Sequence, residues 1–306
     1  MSGKIIIGTR GSRLAMIQAD IIAAELKRAH PAIGIEIRKI VTEGDRNRNI
    51  SIEDAGDTGI FVRALEEALA DGRIDIAVHS LKDMPTLLPV NMHLAAVTKR
   101  IDPRDALVAD ARLSELKQGS RIGTGSLRRT AQLKNLRGDL RVVSIRGNVD
   151  SRLRKVSSGE LQGVVVAAAA MLRLGWADKI TEYLPLESFL PAVGQGTLAV
   201  EARKDDRVME KYVSVLNHAP TWQAVTAERA FLHAVEGGCR APVAALAGVD
   251  GKVLKIAAMV ANKAGTKIIK QSIEGDPGQA EELGVKLAQM MLGKGAASLI
   301  NEIRCR

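Results

Sequence analysis

Apolar residues run along the chain in two rhythms, a spacing of three to four and short unbroken runs, and their alternation predicts an α/β protein. Lys4 to Thr9 reads as a strand. Ser12 follows as a helix N-cap, and Leu14, Ile17, Ile21, Ile22 and Leu26 make one apolar helical face that Pro31 closes off. Gly34 to Val41 is a second strand, and the polar stretch from Thr42 to Gly59 is long enough to predict a mobile loop. Phe61, Leu65, Ala68 and Leu69 then mark a helix stopping at Asp71-Gly72. Ile76, Ala77 and Val78 suit a strand covered on both faces, and Asn91 to Thr98 is the next strand.

The pattern then starts again. Ile7-Gly-Thr-Arg-Gly-Ser-Arg-Leu14 has an echo in Ile122-Gly-Thr-Gly-Ser-Leu-Arg-Arg129, each a strand, a Gly-Thr and Gly-Ser turn, and a helix with arginine in its first turn. Arg141 to Ile145 is a strand, Arg146 to Arg152 opens a helix, and Gly163 to Ala170 reads as one small-apolar strand ending at Met171-Leu-Arg173. After Pro191 to Gly196, a strand from Thr197 to Glu201 is expected to return to the first sheet, so that two crossings make a hinge. Helices from Asp206 to Asn217 and Thr221 to Val235 follow. Strands from Val253 to Val260 and Lys267 to Ile273, with helices from Pro277 to Leu292 and from Ala296, complete a small α+β unit. The expected division is residues 1–99 with 196–217, residues 100–195, and residues 218–306.

Composition narrows the function. At 306 residues the chain exceeds one core, and its 46% apolar content includes only two Trp, two Tyr and three Phe, so Ala, Val, Ile and Leu must fill the interior. Lys and Arg outnumber Asp and Glu by 44 to 35, a net charge of +9 that asks for a polyanion or a small acidic ligand. Nucleic acid is disfavoured, because the cations are scattered, few aromatics can stack on bases, and no zinc-finger or RNP pattern occurs. No run approaches a membrane span and the opening residues hold no signal-peptide stretch, so a cytoplasmic protein with no membrane contact is expected. Cys239 and Cys305 make no disulfide framework, and the five histidines show no ligand spacing, so no metal is expected. Gly123-Thr-Gly-Ser126 is neither a P-loop nor a dinucleotide fingerprint.

Candidate chemistry centres on Ile74 to Pro85, where an apolar run breaks into Ser80, Lys82 and Asp83. Ligands collect at the carboxyl ends of strands in open α/β sheets, so these side chains are placed at a crevice; the plainer alternative is a Lys-Asp turn in solvent. Arg10, Arg128, Arg129, Arg146, Arg152 and Arg173 recur at comparable places. A cation at a helix start opposes the helix dipole unless an anion sits nearby, and guanidinium grips carboxylates bidentately, so the set suits several carboxylates; the alternative is that the arginines point into water. Cys239 follows two glycines on a loop. A protease-type role would need a histidine base, and otherwise a lone cysteine is a small buried hydrophobe.

Five motifs occur together in order: Val78-His-Ser-Leu-Lys-Asp-Met-Pro85, Gly123-Thr-Gly-Ser-Leu-Arg-Arg129, Arg146-Gly-Asn-Val149, Leu190-Pro-Ala-Val-Gly-Gln-Gly196 and Glu236-Gly-Gly-Cys239. In these the chain resembles the porphobilinogen deaminase, or hydroxymethylbilane synthase, family from about Ile5 to the C-terminal helix. The resemblance implies two type II periplasmic-binding-protein-like α/β domains with a central cleft, plus a small α+β C-terminal domain. It implies a transferase of tetrapyrrole biosynthesis that condenses four porphobilinogen molecules head to tail with loss of four ammonia, then releases hydroxymethylbilane by hydrolysis. The primer is one dipyrromethane cofactor per chain, held by Cys239 through a thioether. Asp83 matches the catalytic carboxylate. Ser80, Lys82, Thr124, Ser126, Arg128, Arg129, Arg146 and Gly147 take cofactor positions, and Arg10, Ser12, Phe61, Arg152, Arg173 and Gln195 take substrate positions. A monomer is expected. Two departures stand out: Asp54 and Thr58 occupy places where relatives carry lysine, with Arg46 and Arg48 as possible substitutes, and Gly125 stands where serine is common. The rival readings are a non-catalytic binder of a small dicarboxylate, which leaves Cys239 and the last domain unexplained, and a nucleic-acid binder, which explains only the charge.

Overall fold

The structure is a computed structural model. It describes residues 4–41, 62–235 and 242–304. The chain forms two compact units, Met1–Arg100 with Thr197–Trp222, and Ile101–Gly196 with Gln223–Arg306.

In the first unit, β1 (Lys4–Arg10), β2 (Gly34–Ile40), β3 (Ile76–Ser80), β4 (Met92–Val97) and the returning β10 (Leu198–Arg203) form one sheet in the order β2-β1-β3-β10-β4. β1 runs parallel to β2 and β3, whereas β10 is antiparallel to β3 and β4. Side chains alternate across a strand, so Ile76 and Val78 face one way and Ala77 the other. Helix α1 (Arg13–Ala29) lays Ala19, Ile22 and Leu26 on the Ile76 and Val78 face, and α2 (Arg63–Ala70) lays Leu65, Ala68 and Leu69 on the Ala77 face. Each fully buried Leu or Ile contributes about 1.5–3 kcal/mol relative to leaving it exposed, and the double cover explains why β3 is an unbroken apolar run. Helix α6 (Arg207–Val213) follows β10 in the same unit.

The second unit repeats the plan. Strands β5 (Asp105–Ala109), β6 (Arg121–Thr124), β7 (Arg141–Ser144), β8 (Gly163–Ala167) and β9 (Glu182–Tyr183) lie in the order β7-β6-β8-β5-β9. β6 is parallel to β7 and β8, and β5 is antiparallel to β8. Both five-stranded sheets thus follow one order, with the antiparallel strand, β10 or β5, in fourth place. Helices α3 (Leu127–Leu136), α4 (Val149–Ser157) and α5 (Ala168–Arg173) follow β6, β7 and β8. The run expected as a single strand to Ala170 is therefore divided. Pairing with β5 ends at Asp105 opposite Ala167, and once the ladder stops the helix preference of three successive alanines prevails. Arg173 accordingly sits at the end of a short helix and not of a strand.

The same unit contains the antiparallel sheet β11 (Val243–Asp250), β12 (Val253–Ala261) and β13 (Ile268–Gly275). Phe231 of α7 (Ala219–Ala234), Leu287 and Met291 of α8 (Ala280–Gly293), and Leu299 of α9 (Ala296–Arg304) share a core with Ile256 and Ala258 on one face of that sheet. β11 was not expected, because Val-Ala-Ala-Leu-Ala-Gly is rich in small residues that carry little strand preference. Among the described residues no helix is long and apolar enough to cross a membrane.

Candidate active site

In the first unit, adjacent parallel strands β1 and β3 bring two candidate groups to one sheet edge, Arg10 with Ser12 and Ser80 with Lys82 and Asp83. Ser12 caps α1, its hydroxyl accepting from the Ala15 N–H at 3.2 Å. Beyond Ser80 the chain makes a single 3-10 turn, Leu81–Asp83, pinned by buried Leu81, whose N–H donates to the Thr197 carbonyl at 3.1 Å. The turn leaves the Asp83 carboxylate exposed, with no hydrogen bond from a described residue. The Ser80 hydroxyl accepts from Nε2 of Gln18, a residue of α1 that is only 4% exposed, so a buried polar side chain on the helix face sets this strand end. His79 is buried 3.0 Å from Oε2 of Glu201 beneath the turn, while Oε1 of Glu201 is buried without a hydrogen-bond partner among the described residues.

In the second unit the predicted residues gather beyond the carboxyl ends of β6, β7 and β8. Thr124 accepts from the Ser126 N–H at 3.2 Å, and Ser126 caps α3 from the Arg129 N–H at 3.4 Å. Gly125 stands with its ideal Cβ position 2.7 Å from the Ile145 carbonyl oxygen, so a serine there would require the β6–α3 turn to move. Arg146 and Gly147 are exposed at the start of α4, and Nε of Arg152 donates to the Gly147 carbonyl at 2.8 Å. Gly147 has φ +102° and a Cβ there would fall 2.1 Å from the Ser151 hydroxyl, so only glycine fits.

Arg128 and Arg129 do not point into water. They are 4% and 6% exposed and share one fully buried carboxylate, Asp105. Burial works against the charge on Asp105, but the two guanidiniums outweigh it and hold the carboxyl well below the usual range. Gln195, expected at the substrate, is 1% exposed and turns its amide inward, Nε2 lying 3.0 Å from Oδ1 of Asp105 and 2.8 Å from the Pro103 carbonyl. Arg173 is different: it donates to the Gly196 carbonyl at 2.9 Å, and burial brings it down to about 10, with no ion pair to a described carboxylate. Arg128 and Arg129 thus share one carboxylate, and that buried cluster is net positive. Cys239 and Phe61, with Arg46, Arg48, Asp54 and Thr58, lie outside the described residues. Asp105 and Gln18 were missed. The signal for Asp105 was the apolar Ala106-Leu-Val-Ala109 after a charge-dense segment; Gln18 offered none beyond a polar residue on an apolar face.

The family model for porphobilinogen deaminase, dipyromethane cofactor binding domain, matches residues 5–211, and that for the porphobilinogen deaminase C-terminal domain matches residues 222–293. The chain belongs to the porphobilinogen deaminase family. It is 44% identical to a porphobilinogen deaminase of Geobacter metallireducens over 97% of this chain and 94% of that one. It is 46% identical to one of Syntrophus aciditrophicus over 97% and 98% of the two chains, and 44% identical to one of Alkaliphilus metalliredigens over 98% and 95%. A solved structure of the methionine binding protein MetQ aligns with 70% of this chain and 89% of that one at 14% identity and a TM-score of 0.44. The activity that goes with the deaminase family is hydroxymethylbilane synthase, a transferase, and the cofactor is dipyrromethane. The donor set fits a group bearing several carboxylates. Its clearest mark is Arg173, a half-buried cation whose desolvation is offset by no carboxylate among the described residues.

That cation is a cost to the fold. A guanidinium whose folded value lies below its unfolded one subtracts stability at every pH below the folded value, and the cost fades only as pH rises above about 10 towards the ordinary guanidinium value. Arg173→Gln is therefore expected to stabilise the chain by about 1–2 kcal/mol after allowing for the lost Gly196 bond, by an amount constant between neutral pH and mildly alkaline pH. The same variant should raise KM for porphobilinogen at least tenfold. Thermal unfolding at several pH values and steady-state kinetics check the two halves.

Proposed function

We propose that the chain acts as a hydroxymethylbilane synthase in which Asp83 is the catalytic carboxylate, Cys239 the anchor of the cofactor, and the arginines the cradle of the pyrrole carboxylates. The supporting observation lies in the second unit, where Arg128 and Arg129 share the one buried carboxylate of Asp105 and Arg173 pairs with no carboxylate among the described residues. When bound through Cys239, dipyrromethane supplies the pyrrole carbon to which the first porphobilinogen is joined. Loss of ammonia from porphobilinogen develops positive charge on its pyrrole, and a carboxylate held at a fixed point stabilises that charge and moves protons at the pyrrole nitrogen. Asp83 suits the task, because the 3-10 turn and buried Leu81 fix its backbone while its carboxylate stays open. Lys82, with Ser80 held by Gln18, orients carboxylates at the same edge. Arg128, Arg129 and Arg146, with the Thr124, Ser126 and Gly147 turn residues, hold cofactor carboxylates, and Arg10, Ser12, Arg152 and Arg173 hold those of the substrate. Guanidinium suits this use, since each added pyrrole brings two carboxylates that repel those already present. The protein works in the cytoplasm, as a monomer.

The test is the intact mass of the purified chain, its colour with Ehrlich's reagent for pyrroles, and its consumption of porphobilinogen. A dipyrrole-sized excess mass, a positive colour and formation of hydroxymethylbilane are expected. A chain that carries no adduct, gains none on incubation with porphobilinogen or preformed hydroxymethylbilane, and leaves porphobilinogen unchanged would overturn the reading in favour of a dicarboxylate binder.

A further inference from the structure

We propose that Asp105 is a positioning residue for the carboxylate site, orienting both Arg128 and Arg129 and limiting their combined charge to one net positive; this rests on the function proposed above. Oδ2 of Asp105 accepts from Nη1 of Arg128 at 2.7 Å, and Oδ1 accepts from Nε and Nη2 of Arg129 at 2.9 and 2.6 Å and from Nε2 of Gln195 at 3.0 Å. Two carbonyls complete the frame, Leu190 accepting from Arg128 at 2.7 Å and Val165 from Arg129 at 3.1 Å. The two arginines are consecutive at the start of α3, yet both turn to one carboxylate 23 and 24 residues earlier in the chain.

A pair that only held the fold together would be neutral, since a buried charge left over is expensive. This cluster is two to one. Nε and Nη2 of Arg128 make no hydrogen bond to a described residue, so the outer edge of that guanidinium keeps its donors for an anion. Asp105 is also a joint. It opens β5 opposite Ala167, and Gln195, which braces it, lies in the loop whose Gly194 N–H donates to Oε2 of Glu228 at 2.7 Å. The other oxygen of Glu228 accepts from the Ala247 N–H on β11 at 2.7 Å, so the C-terminal sheet and the arginine pair are tied through one loop. Without the carboxylate, two buried like charges would repel, and neither guanidinium would keep its direction.

The experiment compares Asp105→Asn, Asp105→Glu and Gln195→Leu with the wild-type holoenzyme. Three quantities are read: the fraction of chains carrying the cofactor by intact mass, KM against kcat for the loaded fraction, and the unfolding midpoint. For Asp105→Asn we expect loading below a tenth of wild type and, in the loaded fraction, KM for porphobilinogen raised at least tenfold with kcat within threefold. Asp105→Glu keeps the charge and should recover at least half of the loading. A merely structural role would lower the midpoint while leaving KM and kcat of loaded molecules unchanged, and that result overturns the proposal, as does an equal defect in the Asn and Glu variants. If Asp105→Asn does not fold, Gln195→Leu decides, because it removes one bond to Asp105 and no charge: KM should rise about threefold or more, and an unchanged KM overturns the proposal. A wild-type chain with no adduct and no turnover would instead remove the parent reading, and this proposal with it.

Discussion

Asp83→Asn is expected to lower kcat by about two to four orders of magnitude, the range for loss of a positioned acid–base or charge-stabilising group. Asparagine keeps the shape and removes the charge that would face the developing cation. KM should change little, because the carboxylates of porphobilinogen are assigned to arginines and not to a carboxylate. Stability should also hold, within about 0.5 kcal/mol for an exposed surface change, since Asp83 is exposed and accepts no hydrogen bond from a described residue. Steady-state turnover, beside a thermal melt, checks this. A kcat within threefold of wild type would remove Asp83 from the chemistry and leave Lys82 as the functional member of the turn.

Cys239→Ser is expected to abolish the covalent adduct, and turnover with it. Carbon–sulfur bond formation needs a thiolate, which a thiol with a pKa near 8.5 supplies in part at neutral pH. A serine hydroxyl does not, and no histidine is needed for a bond formed once per chain. Because the anchor and the chemistry are separate roles, the two variants should differ in kind: Asp83→Asn retains the excess mass and turns over slowly, whereas Cys239→Ser lacks the mass and does not turn over. Cys305→Ser is the control and should keep both. An adduct that persists in Cys239→Ser, or that disappears with Cys305→Ser, would refute the assignment of the anchor.

Much of the architecture was legible because it is local. Alternation and helical spacing located β1, α1, β2, α2, β3 and β4, and the run at Thr197 to Glu201 was rightly returned to the first sheet as β10. The legibility failed where a stretch could be read two ways. Gly163 to Ala170 looks like one strand until the ladder with β5 ends at Ala167. β5 itself is five residues behind a charged, proline-containing segment, and β11 is built from small residues, so neither carried enough pattern to be seen.

The candidate site divides in the same way. The order of motifs, the strand-end positions of Ser80, Lys82 and Asp83, and the excess of cations near Gly-Ser turns are properties of the sequence by itself, because a few consecutive residues specify a turn and its cap. Which charges neutralise one another is not such a property. Arg10, Arg128, Arg129 and Arg173 look alike along the chain, but Arg128 and Arg129 are committed to Asp105, while Arg173 is half-buried beside a carbonyl without a described carboxylate. That difference depends on the pairing of β5 with β8 and on the inward turn of Gln195, contacts between residues far apart in sequence. Coulomb interaction and desolvation act through space at distances of a few ångströms, so the partner of each guanidinium was decided only when the strands came together.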